Sequence, residues 1–431
     1  MAGHFAADAP SGTGPLRVTA YAWAVFALSF GLLISDYMAR QVLGAVFPLL
    51  KAEWHLTDSQ LGLLSGVVAV MVGVLTFPLS LAADRFGRVR SLTAMAVLWS
   101  LATLLCAVAG GYDTMLLGRA LVGVGEAAYG SVGIAVVISV FPQRLRATLS
   151  AAFMAGGLFG QVLGVALGAQ VAAAHGWRTA FTAIGLFGLV LGFVYPLVAR
   201  ESRIREIAGL DSAAQDPARG KLRALFASRS ILLAYAGSGL QLFAAGALPA
   251  WLPSYLNRYY ALPVDKAGRM AAVLLLVCGV GMIGCGMISD RLARHRPERK
   301  ITLAMGYSLG TAASLALAFQ LPPGPGQLLL LGMAMFLVAG TTGPAGAMVA
   351  NLTPLAVHGS AFATLTLANN LLGLAPGPIL TGRLADVLGL LGAFRLLPLP
   401  CLTAALVFAV LRRTYLADLA PRSVGGAMAI T

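Results

Sequence analysis

SLAADRFGRVR at residues 80–90 and GMISDRLARHR at residues 286–296 share an Asp-Arg pair and two later arginines at a constant offset of 206 residues, close to half of a 431-residue chain. Each copy sits in a short polar gap between two long apolar runs. A match of this length at corresponding loops marks the two halves as copies of one unit. Working outward from the pair, breaks at charges, Gly/Pro clusters and polar turns divide the chain into twelve apolar runs, each near the ~20 residues a helix needs to cross a bilayer core. The first half gives 20–47, 59–82, 91–111, 115–140, 147–173 and 177–199. The second gives 229–256, 267–289, 300–320, 327–350, 359–382 and 391–412.

Composition agrees. Apolar residues make up 58% of the chain and charged ones 11%, with a mean hydropathy of +0.84, whereas soluble domains carry about 25% charged residues. The expected fold is an all-α membrane protein of twelve transmembrane helices in two pseudo-symmetric six-helix bundles. A tail at 1–19 precedes the first bundle at 20–199. A polar linker at 200–228 joins it to the second bundle at 229–412, and a tail at 413–431 follows. The first 19 residues are polar and the first run is too long for a signal-peptide core, so the first span is read as retained.

The net charge of +14 would suggest nucleic acid in a soluble protein. Here 21 of the 30 basic residues fall in the tails, the linker and the loops on one side, and seven fall on the other. The positive-inside rule then places both termini in the cytoplasm, in a cell membrane of the bacterial inner-membrane kind. No nucleic-acid stripe remains. Cys106, Cys278, Cys285 and Cys401 lie in apolar runs without paired spacing, and read as small packing residues rather than a disulfide or metal framework. No phosphate-binding loop, zinc-protease motif or serine-hydrolase motif occurs, which argues against ATP, cofactors and enzymatic chemistry.

The duplicated loop resembles the Gly-x-x-x-Asp-Arg-x-Gly-Arg signature of the major facilitator superfamily, with Ser80 at the leading glycine of the first copy and Ala293 at the inner glycine of the second. The resemblance implies that Asp84, Arg85, Arg88, Asp290 and Arg291 pair across the two bundles and gate the cytoplasmic side. It also implies a monomer. RALVGVGEAAY at 119–129 and DYMAR at 36–40 are similar to helices 4 and 1 of the spinster-like branch, except that Ala39 stands where that branch has an acid before the arginine. That branch implies lysolipids and sphingoid phosphates as a substrate class.

Charges well inside the spans are few: Asp36, Arg40, Arg119 and Glu126. Each costs at least ~2.5–3.5 kcal/mol at the bilayer centre, so each needs a partner or a watery cavity. Asp36 and Arg40 are four apart on one face of helix 1; Arg119 and Glu126 are two turns apart on helix 4. Two acids and two bases could close electrically. Either they are buried ion pairs holding helices 1 and 4 together, or they form a proton and substrate site. In the second reading Glu126 is the leading proton carrier and Asp36 the next, and a protonated site favours an anionic headgroup near Arg40 or Arg119. Burial favours the neutral carboxyl and a guanidinium the charged one, so a small rearrangement can move a proton.

Tyr37, Tyr129, Gln241, Trp251, Tyr255, Asn351, Asn369 and Asn370 are further cavity candidates, with helix–helix hydrogen bonds as the competing role. Gly156, Gly160, Gly164 and Gly168 recur every four residues and predict a close helix contact. Pro376 and Pro378 predict a loosened helix 11. The function expected is secondary active transport, proton-coupled, of a small amphiphilic or organic-anion substrate by rocking of the two bundles. An uncoupled facilitator, a drug/proton antiporter and a membrane sensor retaining the fold stay open. The expected partners are the small-molecule substrate, protons and membrane lipid.

Overall fold

The computed structural model describes residues 19–208, 225–226, 228–294, 296, 298–354 and 357–427, excepting the side chains at 84, 147, 205, 208, 359 and 416–427. Helices carry nearly all of it. The first bundle is built from α1 (Ala20–Trp54), α2 (Asp58–Phe86), α3 (Arg88–Ala107), α4 (Tyr112–Glu126), α5 (Tyr129–Ser139), α6 (Gln143–His175) and α7 (Trp177–Val198). A short α8 (Glu201–Ala208) opens the linker, whose central part, 209–224, lies outside the described residues. The second bundle holds α9 (Arg229–Tyr259), α10 (Val264–Leu292), α11 (Arg299–Ala318), α12 (Pro325–Val338), α13 (Thr342–Leu352), α14 (His358–Asn369), α15 (Pro376–Arg395) and α16 (Pro398–Ala427).

Three spans are compound: α4 with α5, α12 with α13, and α14 with α15. Counting each as one, eleven helices among the described residues are long and apolar enough to cross a membrane. The twelfth, α16, carries Arg412 and Arg413 and packs along α9 and α11. The expected twelve spans in two bundles are therefore present. The gap expected at 383–390 is shorter than expected: helix continues through most of it and the chain turns at Gly389, whose φ of 73° suits glycine.

The breaks in the compound spans have local causes. After Glu126 the helix lapses at Ala127–Ala128, and the carbonyl of Ala127 takes a hydrogen bond from the Thr76 hydroxyl of α2 (2.7 Å). At the corresponding place in the second bundle the helix lapses after Val338, whose carbonyl takes one from the Gln241 amide of α9 (3.1 Å). Buried carbonyls released from a helix need such partners. In span 11, Pro376 and Pro378 lack the N–H groups that would continue an α-helix. The preceding turn, Asn370–Leu374, widens to a π-helix, with the Ala375 N–H reaching the Asn370 carbonyl (2.9 Å). The loosening expected near the prolines is real and lies just ahead of them.

Glycines set the helix–helix distances. On α6, a Cβ at Gly156 would meet Phe30, at Gly160 the Tyr37 Cβ (2.7 Å), at Gly164 the Met38 backbone and at Gly168 Val42. The four-residue stripe is thus the seam between α6 and α1. Glycines also bring the bundles together. Gly44 of α1 lies against the Ala250 backbone of α9, Gly62 and Gly66 of α2 against Pro378 and Ala375, and Gly268 of α10 against Ala169 of α6.

These inter-bundle contacts gather at the end of the molecule remote from the termini. Down α2 they run from Asp58 to Gly73, which meets Asn370. Beyond that, Thr76 and Ser80 bond to Ala127 and Ser131 of their own bundle, and Phe77, Leu81 and Phe86 are exposed. Down α10 they run from Gly268 to Gly279, which meets Leu158, while nothing lies near Gly286. The bundles close at the far end and part toward the end that carries the duplicated loops.

Candidate functional site

Span 4 breaks immediately after Glu126, and span 1 passes beside it. Glu126 and Asp36 are each 6% exposed and close enough for each carboxyl to act on the other. Both Glu126 oxygens are buried without a hydrogen-bond partner among the described residues. Two carboxylates only accept, so a hydrogen bond joining the pair would need one proton. Arg40 stands beside the pair, its Nε 3.7 Å from Glu126. One terminal nitrogen of Arg40 is buried without a partner. The group thus presents two carboxyls with space for one proton, and a guanidinium with one edge free.

Arg119 differs from expectation. It is fully buried, and its guanidinium donates to the carbonyls of Ala39 (2.8 Å), Arg40 (3.1 Å) and Leu64 (3.3 Å). Its planar fork spans α1 and α2 and fastens both to α4. The expected four-charge cluster is therefore three charged groups, with Arg119 behind them as a clamp. The reason is reach: two turns along α4 place Arg119 beside the backbone of α1 rather than beside a carboxyl.

The further candidates separate clearly. Tyr37 packs where a Cβ at Gly157 would fall, beside Gln41, which bonds Gln161 of α6 (3.3 Å). Asn370 is buried at the α2 contact with its side-chain oxygen unpartnered. The others are fastened within the protein. Tyr129 donates to the Ser29 carbonyl (2.7 Å) and Trp251 to the Pro378 carbonyl (3.1 Å). Tyr255 bonds Gln327 (3.2 Å), Gln241 bonds Thr311 (3.3 Å), and Asn351 bonds Tyr415 (3.2 Å). Asn369 accepts from Ser238 (2.8 Å). For these six the helix–helix role is the one occupied.

The duplicated loops lie on separate bundles. Asp290 pairs with Lys300 (2.9 Å) of its own bundle, Arg291 is exposed, and Arg85 lies 5.8 Å from the ring of its neighbour Phe86. The backbone N–H groups of Arg88 and Val89 donate to the Glu201 carboxylate at the start of α8 (3.3 and 2.8 Å). The Asp84 side chain is outside the described residues. In the conformation seen, this end is open and the described loop residues pair within their own bundles.

What holds the far end shut is a set of contacts that no sequence motif marked. Asp58, the first residue of α2, pairs with Lys51 of α1 (2.5 Å) and takes two bonds from Arg258 of α9 (2.7 and 2.8 Å). Asp386 of α15 in turn accepts from the N–H groups of Asp58 (2.7 Å) and Ser59 (2.9 Å) and from the Ser59 hydroxyl. A carboxylate from one bundle thus caps a helix of the other, where amide groups and dipole favour negative charge. The Thr57–Gln60 capping box was the only legible hint that α2 starts here.

Two helical bundles, joined by a linker and closed around a buried polar site at one end only, define a membrane transporter. Residues 28–375 match the model of the Major Facilitator Superfamily. The chain belongs to that superfamily, whose members are transporters rather than enzymes. It is 29% identical over 384 residues to a putative metabolite transport protein of Haemophilus influenzae, covering 85% of this chain and 90% of the relative. It is 28% identical over 317 residues to a sphingosine-1-phosphate transporter of Danio rerio, covering 68% of this chain and 61% of the relative. The crystal structure of a bacterial homolog to the human lysosomal transporter Spinster, inward-facing and unoccupied, superposes with a TM-score of 0.80. It is 18% identical and covers 93% of this chain and 98% of that one. The relatives also include the human protein spinster homolog 1, 26% identical over 408 residues and covering 88% of this chain and 76% of that one, in line with the resemblance read from helices 1 and 4.

Proposed function

We propose that this chain is a proton-coupled transporter of a small anionic amphiphile, operating by rocking its two bundles about the Asp36–Glu126–Arg40 group. The observation that carries the reading is two buried carboxyls, close enough to act on each other, beside a guanidinium with one edge unpartnered. With one shared proton, two carboxyls and one arginine sum to zero. A second proton leaves Arg40 uncompensated and creates a site for a carboxylate or phosphate. Proton and anion binding are thereby linked, as a change of charge in one must alter affinity for the other.

Three further points support the reading. The second bundle has no acid or base at the corresponding depth, where Gln241 stands, so an apolar chain can lie against it. The zebrafish relative is named for a substrate that joins a phosphate to an apolar body. The bundles meet at one end only, as alternating access requires, and the basic bias puts the open end and both termini in the cytoplasm. The Asp84, Arg85, Arg88, Asp290 and Arg291 loops then close that side in the opposite state, while the Asp58 and Asp386 contacts open.

The test uses the full chain in liposomes carrying an internal pH dye. An acid-outside gradient should accumulate a lysophospholipid or an organic carboxylate, with dye acidification tracking uptake. Glu126→Gln should retain exchange of substrate down its own gradient and lose accumulation against it. Accumulation that ignores the pH gradient, or that survives in Glu126→Gln, would overturn the coupling.

A further inference from the structure

The outer flank of the first bundle carries a groove of about 530 Å³, lined by one face of α3 from Val89 to Leu101 and by Pro196 of α7. The two helices touch at Gly192, where a Cβ would lie 3.4 Å from Ala96. Ala94, Leu101 and Pro196 are exposed along it, and its walls are almost wholly apolar. The α3 helix packs against α7, α4 and its other neighbours within the first bundle, so this groove faces away from the transport path.

Arg90 stands at its mouth. It is exposed and takes part in no hydrogen bond or ion pair among the described residues. The carboxylate of Glu201, at the start of α8, accepts from the N–H groups of Arg88 and Val89. Arg88, Arg200 and Arg203 add positive charge at the same end, Arg203 lying 4.2 Å over the Tyr21 ring, against Glu201 and Glu206. From Arg90 to Leu101 the helix rises about 17 Å, close to half of the ~30 Å hydrocarbon core.

We propose that this groove is a binding site for one anionic phospholipid of the leaflet at the basic end. Its phosphate sits on Arg90 and an acyl chain lies along α3 past Ala94 and Val97 to Leu101. The occupant follows from the surroundings: an apolar groove inside a bilayer fills with acyl chain, and an uncompensated arginine at the interface selects negative headgroups. The lipid would brace α3 against α7 beside the loop that joins α2 to α3.

The experiment compares melting of the full chain in a maltoside detergent with added dioleoyl phosphatidylglycerol or dioleoyl phosphatidylcholine, and counts retained lipid by native mass spectrometry. Wild type should melt several degrees higher with phosphatidylglycerol and retain one molecule of it. Arg90→Gln should lose at least half of that preference. Ala94→Trp, which fills the groove and leaves Arg90 in place, should lose the retained lipid. The proposal fails if Arg90→Gln keeps the full preference, if Ala94→Trp retains the lipid as wild type does, or if glycerol phosphate alone gives the same stabilisation.

Discussion

Arg40 and Arg119 carry the same charge in different surroundings: the Arg119 guanidinium is spent on backbone carbonyls, while Arg40 stands beside Glu126 with one terminal nitrogen unpartnered. Spacing along one helix shows which residues share a face. It cannot show that a residue of span 1 meets one of span 4, because that depends on the crossing of two helices. Arg119 illustrates the gap: the same spacing that suggested an ion pair with Glu126 places its guanidinium on three backbone carbonyls. Two expectations follow at this scale. Arg119→Lys should lower the melting temperature more than Arg40→Lys, because an ammonium cannot reproduce a planar fork over two helices. Arg40→Gln should raise the substrate concentration needed for half-maximal uptake at least tenfold while leaving the melting temperature within a few degrees, since the Arg40 side chain makes one long ion pair and no hydrogen bond among the described residues.

At the scale of the helix, the small-residue stripe on α6 and the prolines of span 11 were read correctly for physical reasons that are local. Glycine at every fourth position removes the Cβ atoms from one face, and proline removes N–H groups. The break in span 4 carries no such mark, and the one in span 10, though marked by Gly340 and Pro344, shares its need: Thr76 and Gln241 arrive from other helices to satisfy the freed carbonyls. The start of α3 is held in the same way by Glu201, 113 residues distant from Arg88. Glu201→Ala should destabilise the first bundle by about 1 kcal/mol, the usual worth of a helix-terminal acceptor, read as a lowered melting temperature that Glu201→Asp partly restores.

For the whole molecule, the conformation seen rests on contacts at one end. Asp58 binds Lys51 of its own bundle and Arg258 of the other, and Asp386 caps α2 across the interface. Asp58→Asn with Asp386→Asn should shift the population toward the state open at that end. Each 1.4 kcal/mol lost from the closed state is a tenfold shift. Distances between spectroscopic labels on the far ends of α2 and α15 would report it: a longer-distance population should grow in the variant and recede on adding a substrate that binds the state seen here.

The sequence by itself determined the number of spans, the duplication, the membrane setting, the superfamily and the short list of charges that lie inside the spans. Hydropathy over twenty residues and charge in loops are properties of contiguous chain, and the bilayer imposes them locally. Only the tertiary structure decided which charges meet, which polar side chains serve packing, and which end of the molecule is shut. Those outcomes turn on atoms contributed by segments hundreds of residues apart, as with Asp58 and Asp386, whose meeting no local pattern encodes.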